Sequence, residues 1–268
     1  MRVDGRVGRV DLNGDVGESF GAYTIGHDER LMASITSANI ACGYHAGDPS
    51  VMRLTVRDAV EHAVAIGAHP GFPDLVGFGR RPMRASPAEV EDFVLYQIGA
   101  LSGIVGAEGG RLTHVKPHGA LYNMASNERP IADAVVRAVK AFGGSLVLFG
   151  RSGSALLDAG LAAGLNTVSE VFADRAYEPD GALVSRTTEG AMIVDAASVV
   201  ERSVGMVTHG TVAAVDGTPV PVRADTICVH GDSPGAATLA ASLRAGLEAA
   251  GVGVVAVVGR DDAGARRG

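Results

Sequence analysis

The sequence is poor in several features that usually advertise a function. Its 268 residues include two cysteines, Cys42 and Cys228, too few for a disulfide framework or a zinc ribbon. Lysine is equally scarce, with only Lys116 and Lys140, and no stretch concentrates Lys and Arg. Together with a net charge of -7, this argues against nucleic-acid binding through phosphate neutralisation. No uninterrupted apolar run approaches the ~18 residues that cross a bilayer. The opening MRVDGRVGRV has no apolar signal core. No membrane role is expected, and the expected location is the cytoplasm. A Walker A motif is also absent, because both lysines follow valine, and no G-x-G-x-x-G follows a strand.

What is present is an apolar, regularly punctuated chain, 47% hydrophobic with a mean hydropathy of +0.21. Short β-rich runs fall near 8–13, 37–42, 65–69, 111–118, 145–149, 167–173 and 225–230, and longer helical stretches follow most of them. Three helices carry an N-cap residue followed by proline, at Asp48-Pro49, Ser86-Pro87 and Ser233-Pro234. The βαβα order predicts a parallel sheet covered by helices. Seven such units favour a closed β/α barrel over an open doubly wound sheet, and the length suits one barrel. The expectation is a single domain over 1–268, with a β-hairpin inserted near 207–224 around Asp216-Gly217. The tail RDDAGARRG is expected to fray.

The strand exits read DLNGDVGE, NIACGYHAGD, GAHPGFPD, HVKPHGALYN, SEVFADRAY and CVHGD. Each carries groups able to do chemistry, mixed with glycine in all but SEVFADRAY, and the carboxyl ends of parallel strands form the ligand-binding rim. Residues two apart share a strand face. Asp11, Asn13 and Asp15 therefore align away from Val10 and Leu12, and His114, Lys116 and His118 away from Thr113 and Val115. Glu170, Phe172 and Asp174 form a third such set, and Cys228, His230 and Asp232 a fourth. A lysine inside an apolar strand must find a carboxylate or a ligand. Lys116 is thus either a structural ion pair with Asp11 or Asp15, or a functional cation.

Other residues have plainer readings. Cys42 reads as a small buried hydrophobe and His114 as a satisfied core histidine. His62 reads as a helix residue, and His27 and His209 as loop or helix-end residues. The turn GRSGS after the fifth strand is an ordinary loop that also offers backbone N–H groups to a carboxylate or phosphate.

The segments DLNGDVGESFGAY, SANIACGYHAGDPSVM, GAHPGFPDLVGFGRR, VKPHGALYN and EVFADRAY, in that order, resemble the LamB/YcsF family over roughly residues 9–235. The family is identified with the A subunit of a bacterial ATP-dependent 5-oxoprolinase. The resemblance implies an irregular seven-stranded β/α barrel of the glycoside hydrolase/deacetylase type. It also implies cleavage of the lactam of 5-oxo-L-proline to L-glutamate, with ATP used by a complex that includes B and C subunits. Homo-oligomer formation is compatible with this.

Lactam opening requires a general base, an oxyanion stabiliser and a general acid. Asp15 or Glu18 is the expected base, Lys116 the stabiliser or phosphate partner, and His45 or His118 the acid. Arg175 and Arg186 are expected to clamp the substrate carboxylate, with Asp11, Asn13, Asn39, His69, Tyr122, Glu170 and His230 as further substrate contacts. Replacing Lys116 by Met is expected to remove activity and spare the fold. Two rivals stand beside this: a divalent metal on Asp15, His45 and His69 in an ATP-independent carbohydrate or amide deacylase, and a non-catalytic substrate-binding subunit.

Overall fold

The structure, a computed structural model, describes residues 8–143, 145–230 and 235–257, with His230 described by its backbone alone. Strand β1 (Arg9–Val16) leads through the short helix α1 (Asp28–Met32) to β2 (Ser37–Ala41). Helix α2 (Pro49–Glu61), β3 (Ala65–His69), α3 (Pro87–Ala107) and β4 (Leu112–Val115) follow. Two helices, α4 (Gly119–Asn127) and α5 (Arg129–Phe142), precede β5 (Val147–Arg151), α6 (Ala155–Ala162) and β6 (Thr167–Phe172). The chain ends with α7 (Ala196–His209), β7 (Thr211–Ala213), β8 (Pro219–Pro221), β9 (Thr226–His230), α8 (Ala236–Ala249) and β10 (Gly253–Val254).

Parallel pairing runs β1-β2-β3-β4-β5-β6-β9 and returns from β9 to β1, closing the expected seven-stranded barrel. Closure pairs Asp11 with Thr226 and Asp15 with His230. β10 adds to the lower edge of β1, and β7 with β8 forms a separate antiparallel hairpin. Its turn uses Asp216, whose Oδ1 accepts from Thr218 N at 2.9 Å.

Local chemistry sets the helix starts. Asp48 caps α2 through Ser50 N and Val51 N, and Ser86 forms a capping box with Glu89 at the start of α3. Helix α3 is long and apolar enough to cross a membrane by length and composition. Its Val90, Val94, Ile98, Leu101 and Val105 are instead 0–1% exposed, spaced so that one stripe covers the barrel. Ser233-Pro234, Asp232 and the tail 260–268 lie outside the described residues.

Three strand boundaries shift, with consequences for the site. β1 runs on to Val16, so Asp15 is a strand residue rather than a loop residue. β4 stops at Val115 because Pro117 has no N–H for the ladder, although Lys116 N and His118 N still bond Ala68 O and Pro70 O at 2.9 Å. β5 extends to Arg151, which places that guanidinium on the same face as Phe149.

The barrel interior is polar rather than aliphatic. Asp11, Asn13, Asn39, His114 and Glu170 are all 0% exposed, while Val10 and Leu12 point outward into the helical layer at 0%. The His114 ring fits inside because Gly67, its register partner on β3, has no side chain, and the ring stacks on Phe149 at 4.4 Å. A Cβ at Gly67 would run into that imidazole. Gly67→Ala is therefore expected to cost about 1–3 kcal/mol as an overpacking change. Urea unfolding would read this as a lower midpoint, and an unchanged midpoint would refute the close fit.

Candidate active site

Lys116 sits at the centre of the upper barrel. Its Nζ contacts Glu170 Oε1 at 2.8 Å, and Asn13 Oδ1, Asp15 Oδ1 and Cys228 Sγ each at 3.0 Å. Burial opposes the ammonium, but the Asp15 and Glu170 carboxylates outweigh it and push the Lys116 pKa well up. Burial also raises the Cys228 thiol, so Sγ meets the ammonium as a neutral acceptor. Each carboxylate is tied further. Asn39 Nδ2 donates to Asp15 Oδ1 at 2.9 Å, and Tyr122 OH to Glu170 Oε2 at 2.6 Å. The Tyr122 hydroxyl is itself held well above its usual pKa by burial and by Glu170.

Beside this cluster stands a group of imidazoles. His69 Nε2 lies 3.4 Å from Asp15 Oδ2 and 3.0 Å from His118 Nδ1. His45 stacks on His118 with centroids 3.7 Å apart and planes 2° apart, and its Nε2 is 3.4 Å from Glu18 Oε1. The long loop after β3 is shaped to receive them. Gln97 of α3 accepts from Gly71 N at 2.9 Å and donates to Gly71 O at 2.8 Å, pinning the loop against the helix. Phe78 adopts φ +54°, a left-handed conformation that costs a bulky residue energy, and its carbonyl accepts from His118 Nε2 at 2.8 Å. Gly79 O then accepts from Ala120 N at 2.9 Å, locking the loop to the start of α4.

Above both groups opens a cavity of about 470 Å³. Asp15, His69, Lys116, His118 and Tyr122 form its inner lining, and Arg80, Arg151, Arg175 and Arg186 add cationic walls. Arg175 is 6% exposed, and burial together with the neighbouring Arg186 lowers its pKa to about 10. The outer wall, residues 182–187, follows β6 and is held by isolated bridges Arg175–Met192 and Tyr177–Leu183. The β7–β8 hairpin backs this wall through Val215 N, which bonds Tyr177 O at 2.9 Å.

The expected residues thus separate by depth. Asp15, His69, Lys116, His118, Tyr122, Arg175 and Arg186 meet at one cavity, and Glu170 lies directly beneath Lys116. Asn13 and Asn39 do not line the cavity. They are fully buried, with Asn13 Nδ2 donating to Glu170 and Thr226 and Asn39 Nδ2 to Asn13 and Asp15. Asp11 is further still, four residues and roughly 13 Å down β1 from Asp15. Thr36 and Ser37 donate to its Oδ1 at 2.7 Å each, and Thr226 to its Oδ2 at 2.5 Å.

Glu18 and His45 adjoin the imidazole group but do not line the cavity. His118 gives its Nε2 hydrogen to Phe78 O. His230 is in register with Asp15, and its side chain lies outside the described residues. Arg80 and Arg151 are cavity residues that the sequence reading misses. Strand alternation from Phe149 would have found Arg151, whereas Arg80 sits in a loop with no periodic signal.

Two outcomes follow. Lys116→Met leaves two buried carboxylates facing each other, so a loss of stability is expected where the sequence reading expects an intact fold. It should cost about 3–5 kcal/mol, and adding Glu170→Gln should recover part of that loss. Denaturant titrations of the single and double variants test this, and equal stability of Lys116→Met and wild type would overturn it. Separately, burial raises the Cys42 thiol to about 12. Its alkylation by iodoacetamide at pH 8 should be roughly a thousandfold slower than that of a free cysteine, as followed by mass spectrometry on native protein.

The model of the LamB/YcsF family matches residues 10–261. A protein of Chloroflexus aggregans named as the A subunit of 5-oxoprolinase is 58% identical over 245 residues, covering 91% of this chain and 97% of its own. One of the same name from Symbiobacterium thermophilum is 57% identical, covering 94% and 97%. Among solved structures, the lactam utilization protein from Thermus thermophilus superposes with a TM-score of 0.88 at 50% identity, over 92% of this chain and 99% of that one. A barrel closed by seven parallel strands, an acid- and imidazole-bearing mouth and these matches lead to one conclusion: the chain belongs to the LamB/YcsF family.

Proposed function

We propose that this chain is the A subunit of an ATP-dependent 5-oxoprolinase and that it opens the lactam of 5-oxo-L-proline to give L-glutamate. The observation that carries the reading is the pairing, in one cavity, of the Asp15 carboxylate on the inner lining with the Arg175 and Arg186 guanidiniums on the wall. Such a site suits a small anionic amide. Arg175 and Arg186 bind the substrate carboxylate, which relieves the repulsion between two neighbouring cations. The lactam carbonyl is then held over Asp15.

Asp15 takes a proton from the attacking water as the oxygen adds to the carbonyl carbon. It returns that proton to the ring nitrogen as the C–N bond breaks, so one carboxylate serves both halves of the hydrolysis. The Lys116 ammonium fixes Asp15 through Oδ1 and supplies positive charge below the developing oxyanion. No Walker A motif occurs in the sequence, which supports assigning all or part of the ATP-dependent step to the partner B and C subunits.

The test measures ATP consumption and glutamate formation with and without 5-oxoproline, for this chain alone and reconstituted with B and C. Both activities should require the complex, and Asp15→Asn should lower glutamate formation by about a hundredfold or more. Hydrolysis of an acetylated sugar by the isolated chain without ATP would replace this reading by that of a deacylase. Substrate binding with normal turnover in Asp15→Asn would reduce the chain to a binding component of the complex.

A further inference from the structure

The lactam chemistry leaves Glu18 and His45 unused, although both are almost wholly buried beside the cavity, at 4% and 0% exposure. Hydrogen-bond logic says what they surround. A backbone carbonyl only accepts, so His69 Nδ1, 2.7 Å from Lys116 O, and His118 Nε2, 2.8 Å from Phe78 O, each carry the ring hydrogen. Their remaining nitrogens, His69 Nε2 and His118 Nδ1, then face each other across 3.0 Å with lone pairs. Neutral rings repel in that arrangement, and a positive charge shared between the two nitrogens, from a proton or a metal ion, relieves it.

The ring of His45 is stacked on that of His118. Among the described residues, neither ring nitrogen of His45 has a hydrogen-bond partner, which is costly for a fully buried imidazole. Its Nε2 and His118 Nδ1 approach the same carboxylate oxygen, Glu18 Oε1, at 3.4 and 3.5 Å. One donor atom from each of the four residues lies within 4.8 Å of all the others.

We propose that Glu18, His45, His69 and His118 bind one divalent transition-metal ion, with zinc the best match to three imidazoles and a carboxylate. A tetrahedral ion with bonds of 2.0–2.1 Å needs donors about 3.3 Å apart; three of the six separations, at 3.0, 3.4 and 3.5 Å, bracket that value, and all six are within 4.8 Å. The outer contacts fit as well. Metal-bound histidines usually give their second N–H to a carbonyl or carboxylate, as His69 and His118 do here. The donor set has Glu18 and His118 in place of the Asp15 of the Asp15, His45 and His69 triad expected from sequence, and Asp15 Oδ1 instead holds Lys116 and Asn39. When bound, the ion supplies a Lewis acid next to the lactam site. The inference shares the mouth with the proposed lactam reaction but rests on separate observations.

The test uses the full chain, expressed with zinc in the medium and purified without chelator. Elemental analysis should find close to one equivalent of metal per chain, removable by a chelator. The stripped protein should gain thermal stability on zinc addition and develop the visible absorption of a tetrahedral site on cobalt addition. His45→Phe keeps the ring stack and removes one donor, so it should weaken zinc binding at least tenfold, and Glu18→Gln serves the same purpose if that variant does not fold. Metal below a tenth of an equivalent, with no thermal response to zinc, would overturn the site. Zinc is assayed on the isolated chain and lactam opening in the complex. Turnover without metal therefore sinks only this inference, and metal without turnover sinks only the functional reading.

Discussion

The upper barrel is organised around one buried ammonium. Lys116 is almost fully enclosed, and an isolated charge there would be prohibitively costly. It is tolerated because Asp15 and Glu170 approach from two other strands, β1 and β6, and because Asn13, Asn39 and Tyr122 donate further hydrogen bonds to those carboxylates. Residues more than 150 positions apart in the chain are thereby held to within hydrogen-bond length of one another. Buried ion pairs contribute little net stability against an apolar alternative. A fold that keeps this one is spending stability on the placement of charge.

The same logic runs down the barrel. Beneath the ammonium lies a layer of Asn13, Asn39, His114 and Glu170, and beneath that a layer of Asp11, Thr36, Ser37 and Thr226. His114, pushed to about pKa 3 by burial and by Lys116, is a neutral member of its layer. The aliphatic residues that would normally fill a barrel sit outside it, between strands and helices. The interior is therefore a stack of linked hydrogen bonds, rigid because each group has few alternative partners.

Much of this is legible in the sequence, and the boundary is instructive. Strand alternation puts Asp11, Asn13 and Asp15 on one face, and the barrel confirms that face as the interior. Alternation carries no information about depth, so it cannot separate Asp15 at the mouth from Asp11 near the floor. That distinction needs the register with β2 and β9, which only closure supplies. Loop residues are harder again. His45 and His118 stand out by chemical type, but their stacking depends on the left-handed turn at Phe78 and on the Gln97 clamp to Gly71, neither of which has a sequence period. Arg151 lies just past the strand end that the apolar run suggests, because the run stops at Phe149 while the pairing continues.

The mouth is built from two unequal materials. Its floor is a mesh in which every polar group is another's partner, so a change to one propagates to several. Its outer wall, 182–187, follows β6 and is tied mainly through backbone hydrogen bonds, such as Val184 N to Ala176 O at 3.0 Å, with a small hairpin behind it. Apart from buried Val184 and from Arg186, which binds the substrate carboxylate in the proposed reaction, substitutions in that wall meet few obligate neighbours, so the shape of what is admitted can drift while the reacting groups stay in place. Within such a family, diversification of the accepted amide should accumulate on the wall, and the floor should change only in concert.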